Sequence, residues 1–152
     1  MTQLIDAPKV TGMVTLKHLD ANGNVLKEQT VKNLVVDTGL AHIAARLKDG
    51  SIPAQMSHMA LGTSNTAPAA NNTALGAQAG SRSSLTVAGG TPSAATVTYS
   101  ANFGAGVATG SIVEAGIFNA SSGGTMLCRT VFDVITKGVN DSLSVTWVIT
   151  VS

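Results

Sequence analysis

The groups in this chain that could carry chemistry are three histidines, one cysteine and an acidic residue set in an apolar run. His18, His42 and His58 are far apart, and none falls in an HExxH or HxH arrangement, the spacings that bring two imidazoles to one zinc ion. His18 and His58 read as strand residues and His42 as a helix-face residue. Serine is abundant, but no GxSxG elbow offers a nucleophile on a strand–turn–helix. "DANGN" has too few carboxylates for calcium, and "GAGVATG" lacks the lysine and the following helix of a phosphate loop. Cys128 stands alone in "TMLCRTVF", so it reads as a small buried hydrophobe rather than a zinc ligand or half of a disulfide. Glu114 in "SIVEAGIF" is the acidic residue with apolar neighbours. A strand there must either expose it or pair it, and Arg129, across a hairpin closed by "SSGG", is the expected partner. Pairing is favoured over a catalytic carboxylate of the glycosidase kind. The expectation is therefore no enzyme, no metal and no cofactor.

The elements that would position these residues are mostly strands. In "DSLSVTWVITVS", Leu143, Val145, Trp147, Ile149 and Val151 share one face and Ser144, Thr146 and Thr150 the other, the period of a half-buried strand. "MVTLKHL" and "NVLKEQTV" flank the Asn22-Gly23 pair as a hairpin. "NLVVDTG" ends a further strand. "GLAHIAARLKDG" is the one good helix candidate, about residues 39–48, with Thr38 as its cap, Gly50 after its last turn and Leu40, Ile43, Ala44 and Leu47 as its apolar stripe. "QMSHMALG" predicts a strand with Met56, His58 and Ala60 opposite Ser57, Met59 and Leu61. The runs "SSLTVAGG", "ATVTYSANF", "GSIVEAGIFNA", "TMLCRTVF" and "DVIT" follow, separated by "GGTPS", "GAGVATG", "ASSGG" and "KGVND". Short strands at this spacing with little helix predict an all-β sandwich of jelly-roll type with one short α-helix. The expected organisation is an N-terminal arm, 1–12, and a single domain, 13–152.

Composition narrows the partners. Charged residues make up 11% of the 152-residue chain, against about 25% in ordinary soluble domains. Between Asp49 and Glu114 the only formal charge is Arg82. A surface with so little charge has weak colloidal protection, which suggests that other protein covers much of it. Nine basic residues against eight acidic ones, with few aromatics, give neither a phosphate-binding stripe nor a stacking platform, so no nucleic acid is expected. No apolar run approaches membrane-spanning length. "MTQLIDAPKV" lacks the pattern of a signal peptide, so synthesis in a cytoplasm is expected.

"MALGTSNTAPAANNTALGAQ" is the least ordinary stretch, because it has no charge and little bulk. Pro68 restricts Ala67 to extended geometry, and Asn and Thr side chains can bond nearby backbone, so the segment can be ordered without charge. It reads either as an extended loop lying on a partner or across a subunit boundary, or as an internal crossover between two sheets; these two readings weigh equally.

In order along residues 30–152, "NLVVDTGLAHIAARL", "MALGTSNTAPAANNTALG", "ATVTYSANFGAG", "IVEAGIFNASSGGTMLCRTVF" and "DSLSVTWVITVS" resemble blocks of small structural proteins of tailed bacteriophages. Such β-rich modules serve as capsid decoration (cement) proteins or as parts of tail fibres and tail tips. The absence of a repetitive shaft favours decoration. The resemblance implies a virion protein on the capsid surface, made in the host cytoplasm, with the major capsid protein and further copies of itself, as a dimer or trimer, for partners. It implies no catalytic residues. The alternative is a tail fibre or tail-tip domain contacting the baseplate or a host receptor. A carbohydrate-binding sandwich is a third reading, weakened by the scarcity of aromatics. The expected contact residues are Leu4, Ile5 and Val10 in the arm and Thr63, Asn65, Pro68, Asn71, Asn72 and Leu75 in the loop.

Overall fold

Alternation in the C-terminal stretch produces strand β10 (Ser142–Val151), the centre of a five-stranded antiparallel sheet. The computed structural model describes residues 9–48 and 50–152, so Leu4 and Ile5 lie outside the described residues. On one side β10 pairs with β1 (Val10–Leu19), which forms a hairpin with β2 (Val25–Lys32). On the other side it pairs with β7 (Thr96–Phe103), followed by β6 (Thr91–Ser93) at the edge. The second antiparallel sheet runs in the order β3 (Leu34–Val35), β9 (Met126–Lys137), β8 (Gly110–Phe118), β4 (His58–Gly62), β5 (Ser83–Ser84).

The two sheets bury their facing side chains in one core. Val14 and Leu16 of β1, Tyr99 and Phe103 of β7, and Leu143, Val145 and Trp147 of β10 meet Met59, Leu61, Ile112, Ala115 and Ile117 from the other sheet. Each large apolar side chain fully buried there contributes about 1.5–3 kcal/mol. Trp147 is the largest of them, while Val151, expected on the same face, is half exposed at the strand's end.

Several local expectations need correction. Val10, Thr11 and Gly12, assigned to the arm, belong to β1, with Val10 opposite Val151 and packed against the core edge. "SSLTVAGG" yields only the two residues of β5, and "GGTPS", read as a turn, contributes β6. "TMLCRTVF" and "DVIT" are one continuous strand, β9, interrupted by bulges opposite β8.

The helix α1 (Asp37–Arg46) starts earlier than expected, with Val36 rather than Thr38 at its N-cap position and no side-chain cap bond. The Thr38 hydroxyl instead donates to the Met126 carbonyl at 2.9 Å. Its buried residues are Gly39 and His42, while Leu40 is exposed and Leu47, just past the helix end, is 84% exposed. The reason is a close backbone approach. β9 bulges at Leu127, which has no partner between Ile117–Cys128 and Phe118–Met126. The Leu127 carbonyl projects against Gly39 so closely that any Cβ there would collide with it. That contact fixes the helix's rotation: Leu40, Ala44 and Leu47 of the expected stripe are exposed, and only Ile43 of the four packs against the core.

Candidate functional site

β8 and β9 place Glu114 and Arg129 on the outer face of the second sheet, away from the main core. Glu114 lies opposite Val131 and Arg129 opposite Gly116, so the two side chains meet on the diagonal. The expected pair is present. Arg129 Nη2 lies 2.8 Å and Nε 2.9 Å from the same carboxylate oxygen, Oε2 of Glu114. Glu114 is 0% and Arg129 2% exposed. Such burial is favourable only where further hydrogen bonds satisfy both ions.

Those bonds come from the uncharged segment. The chain leaves β4 at Gly62 and returns beside it, with Gly62 bridged to Gln78, Thr63 N–H donating to Ala77 O and Ala79 N–H donating to Leu61 O. Residues 63–77 are thus an Ω-loop whose ends touch, laid over the outer face of the sheet. The segment begins and ends in one sheet, so it is not a crossover between sheets. Glu114 Oε1 accepts the Ser64 and Ala77 N–H groups at 3.2 and 2.7 Å, and Oε2 accepts Gly76 N–H at 3.0 Å. Arg129 donates through Nη2 to Thr66 O at 2.9 Å and through Nη1 to Asn72 Oδ1 at 3.2 Å. Asn72 Oδ1 also accepts Ala69 N–H, and Asp37 N–H donates to Ala70 O, which ties the loop to the start of α1. The loop can therefore be free of charge because the sheet beneath supplies both charges.

A second, small apolar cluster lies under the same loop. Val36, Ala60, Phe118 and Met126 are buried there, with Leu75 of the loop packed against them. Thr63, Asn65 and Asn71 are exposed, whereas Pro68, Asn72 and Leu75 are half buried. The expected loop residues thus divide in two: Asn72 and Leu75 fasten the loop down, and Thr63, Asn65 and Asn71 point outward.

Arg82, the lone charge of the central region, clamps the neighbouring hairpin. Its guanidinium stacks 3.6 Å from the Phe118 ring centroid, and Nη1 donates to Ala120 O and Gly123 O at 2.8 and 2.9 Å. Burial lowers its pKa. Sequence reading missed this role, although a single cation in so long an uncharged run was its signal.

The other titratable groups are held apart. His18 Nε2 lies 2.9 Å from Asp141 Oδ2, and this hydrogen bond is the main cause of the lowered Asp141 pKa. Burial lowers the pKa of Lys137, whose ammonium donates to Gly104 O. His58 Nδ1 meets the Ser57 hydroxyl at 2.8 Å, and Ser84 lies 3.5 Å from Nε2. Cys128 is fully buried, and desolvation pushes its pKa well above that of a free thiol. Among the described residues, no three His, Cys, Asp or Glu side chains converge on one point, and no helix is long and apolar enough to cross a membrane.

No known protein family, curated protein or solved structure matches this chain.

Proposed function

We propose that this protein is a capsid decoration protein of a tailed bacteriophage, binding the outer surface of the major capsid protein shell and stabilising the joints between capsomers. The observation that carries the reading is the loop: an uncharged segment, anchored from beneath by a buried ion pair, that presents Thr63, Asn65 and Asn71 outward. A contact surface ordered before binding loses little conformational entropy on docking. The open face of the first sheet points the same way, since β6, β7 and β10 contain no charged residue. Its outer rows, Thr96, Thr98, Ser100 and Asn102 beside Thr150, Val148, Thr146 and Ser144, form an uncharged, mostly hydroxyl-bearing surface suited to a flat protein partner.

The role is mechanical, with no catalytic residue, metal or cofactor. Binding the assembled shell and not its free subunits stabilises the shell by mass action. Closed symmetry at capsid joints makes a homodimer or homotrimer the natural form. The proposal needs a two-layer sandwich and a fixed loop. It does not need uninterrupted jelly-roll winding, from which the in-sheet hairpins β1–β2 and β8–β9 depart.

The test is co-sedimentation of the purified protein with undecorated, expanded shells of the phage that encodes it, together with antibody labelling of virions. Saturable binding to shells and label over the whole capsid support the proposal. No shell binding, with label confined to the tail, overturns it in favour of a fibre or tail-tip domain.

A further inference from the structure

Beneath the crest of the Ω-loop lies an open polar cavity of about 480 Å³, with Ser64, Thr66, Asn71, Asn72, Thr73 and Leu75 among its walls and Arg129 at its base. We propose that this cavity is a binding site for a neutral polyhydroxylated ligand, a pyranose unit of a glycan. The site goes beyond the decoration reading and does not depend on it, because the loop geometry alone carries it.

Electrical neutrality selects the ligand class. Among the described residues Arg129 is the only charged group lining the cavity, and Glu114 offsets it in direct contact. An anion thus gains no net attraction here, and a cation meets the guanidinium. Hydrogen-bonding capacity does remain. A guanidinium has five N–H groups, and three hydrogen bonds are made, Nε to Glu114, Nη2 to Thr66 and Nη1 to Asn72, with Nη2 also 2.8 Å from Glu114 Oε2 in the ion pair. The second Nη1 proton of this almost fully buried side chain has no partner among the described residues, and an unmet buried donor favours any acceptor that reaches it. The Asn71 amide and Thr73 hydroxyl on the wall also bond no other described group, so they can both donate and accept. Leu75 supplies an apolar side. Ring hydroxyls that exchange hydrogen bonds in both directions, with a C–H face against Leu75, match this lining. A few placed polar groups in a largely preformed recess are what small-ligand sites require.

The experiment is an amide NMR titration of the full-length protein with glucose, galactose, mannose and N-acetylglucosamine, repeated with glucuronate. The expected result is saturable shifts at Ser64, Thr66, Asn71–Gly76 and Arg129 Nε for at least one neutral sugar, with a dissociation constant of about 1–10 mM. Asn71→Ala with Thr73→Val, both on the loop surface, should weaken it about tenfold while leaving the protein's melting temperature unchanged. No saturable shift up to roughly 100 mM sugar, shifts that persist in the double variant, or tighter binding of glucuronate than of glucose would each overturn the proposal.

Discussion

Glu114 shows how one residue can organise a surface. Its carboxylate accepts three loop N–H groups as well as Arg129, so no neutral residue of similar size replaces it. Glu114→Ala leaves a buried guanidinium without its counter-ion, and equilibrium unfolding should register a loss of about 3–5 kcal/mol. The double variant Glu114→Leu/Arg129→Met removes both charges and should recover part of that stability. It should not restore hydrogen-exchange protection at Ser64, Gly76 and Ala77, which would still lack acceptors. Protection retained there would mean that the loop is held by Leu75 and its own turns instead. His42 allows a pH test. Desolvation, then the nearby Arg46, lowers its pKa below 6.5, and its Nδ1 has no partner among the described residues. The unfolded chain therefore binds more protons between the folded-state value and 6.5, so stability should fall as pH drops through that window. His42→Leu should flatten that part of the pH–stability curve; an unchanged slope would assign the effect to another group.

Among the elements, strands were legible in the sequence and contacts between elements were not. β1, β7 and β10 follow from alternation because each turns one face to the core, and period two is a property of the strand itself. The Glu114–Arg129 pair was legible for a related reason: a charge on a covered strand needs a partner, and a hairpin limits the candidates. The rotation of α1 was not legible, because it depends on a bulge at Leu127 in a strand far along the chain. The destination of the Ω-loop was hidden likewise, since its anchors lie on β8 and β9 rather than in the loop's own sequence. Gly39→Ala tests the helix contact. The new methyl group must push α1 off the Leu127 carbonyl, and thermal or denaturant unfolding should show a cost of about 1–3 kcal/mol. A neutral or stabilising effect, as helix propensity alone would give, would contradict the close approach.

At the scale of the whole molecule, low charge has a distribution as well as an amount. One sheet is covered on both faces, by the main core inside and by the clamped loop outside, so its buried Glu114–Arg129 pair is an internal fitting. The other sheet leaves an uncharged, mostly hydroxyl-bearing face open across β6, β7 and β10, with charged residues confined to the β1–β2 side. For the proposed decoration role, the surfaces available to a partner are that face and the crest of the loop. The most direct test compares the melting temperature of expanded shells saturated with the wild-type protein and with a Thr63→Glu/Asn65→Glu variant. Both positions are exposed, so the variant should fold as the wild type does. Decoration through the loop predicts that wild type raises the shell's melting temperature and that the two added carboxylates abolish the increase. A shell that melts at the same temperature with and without the wild-type protein would contradict a cement role outright.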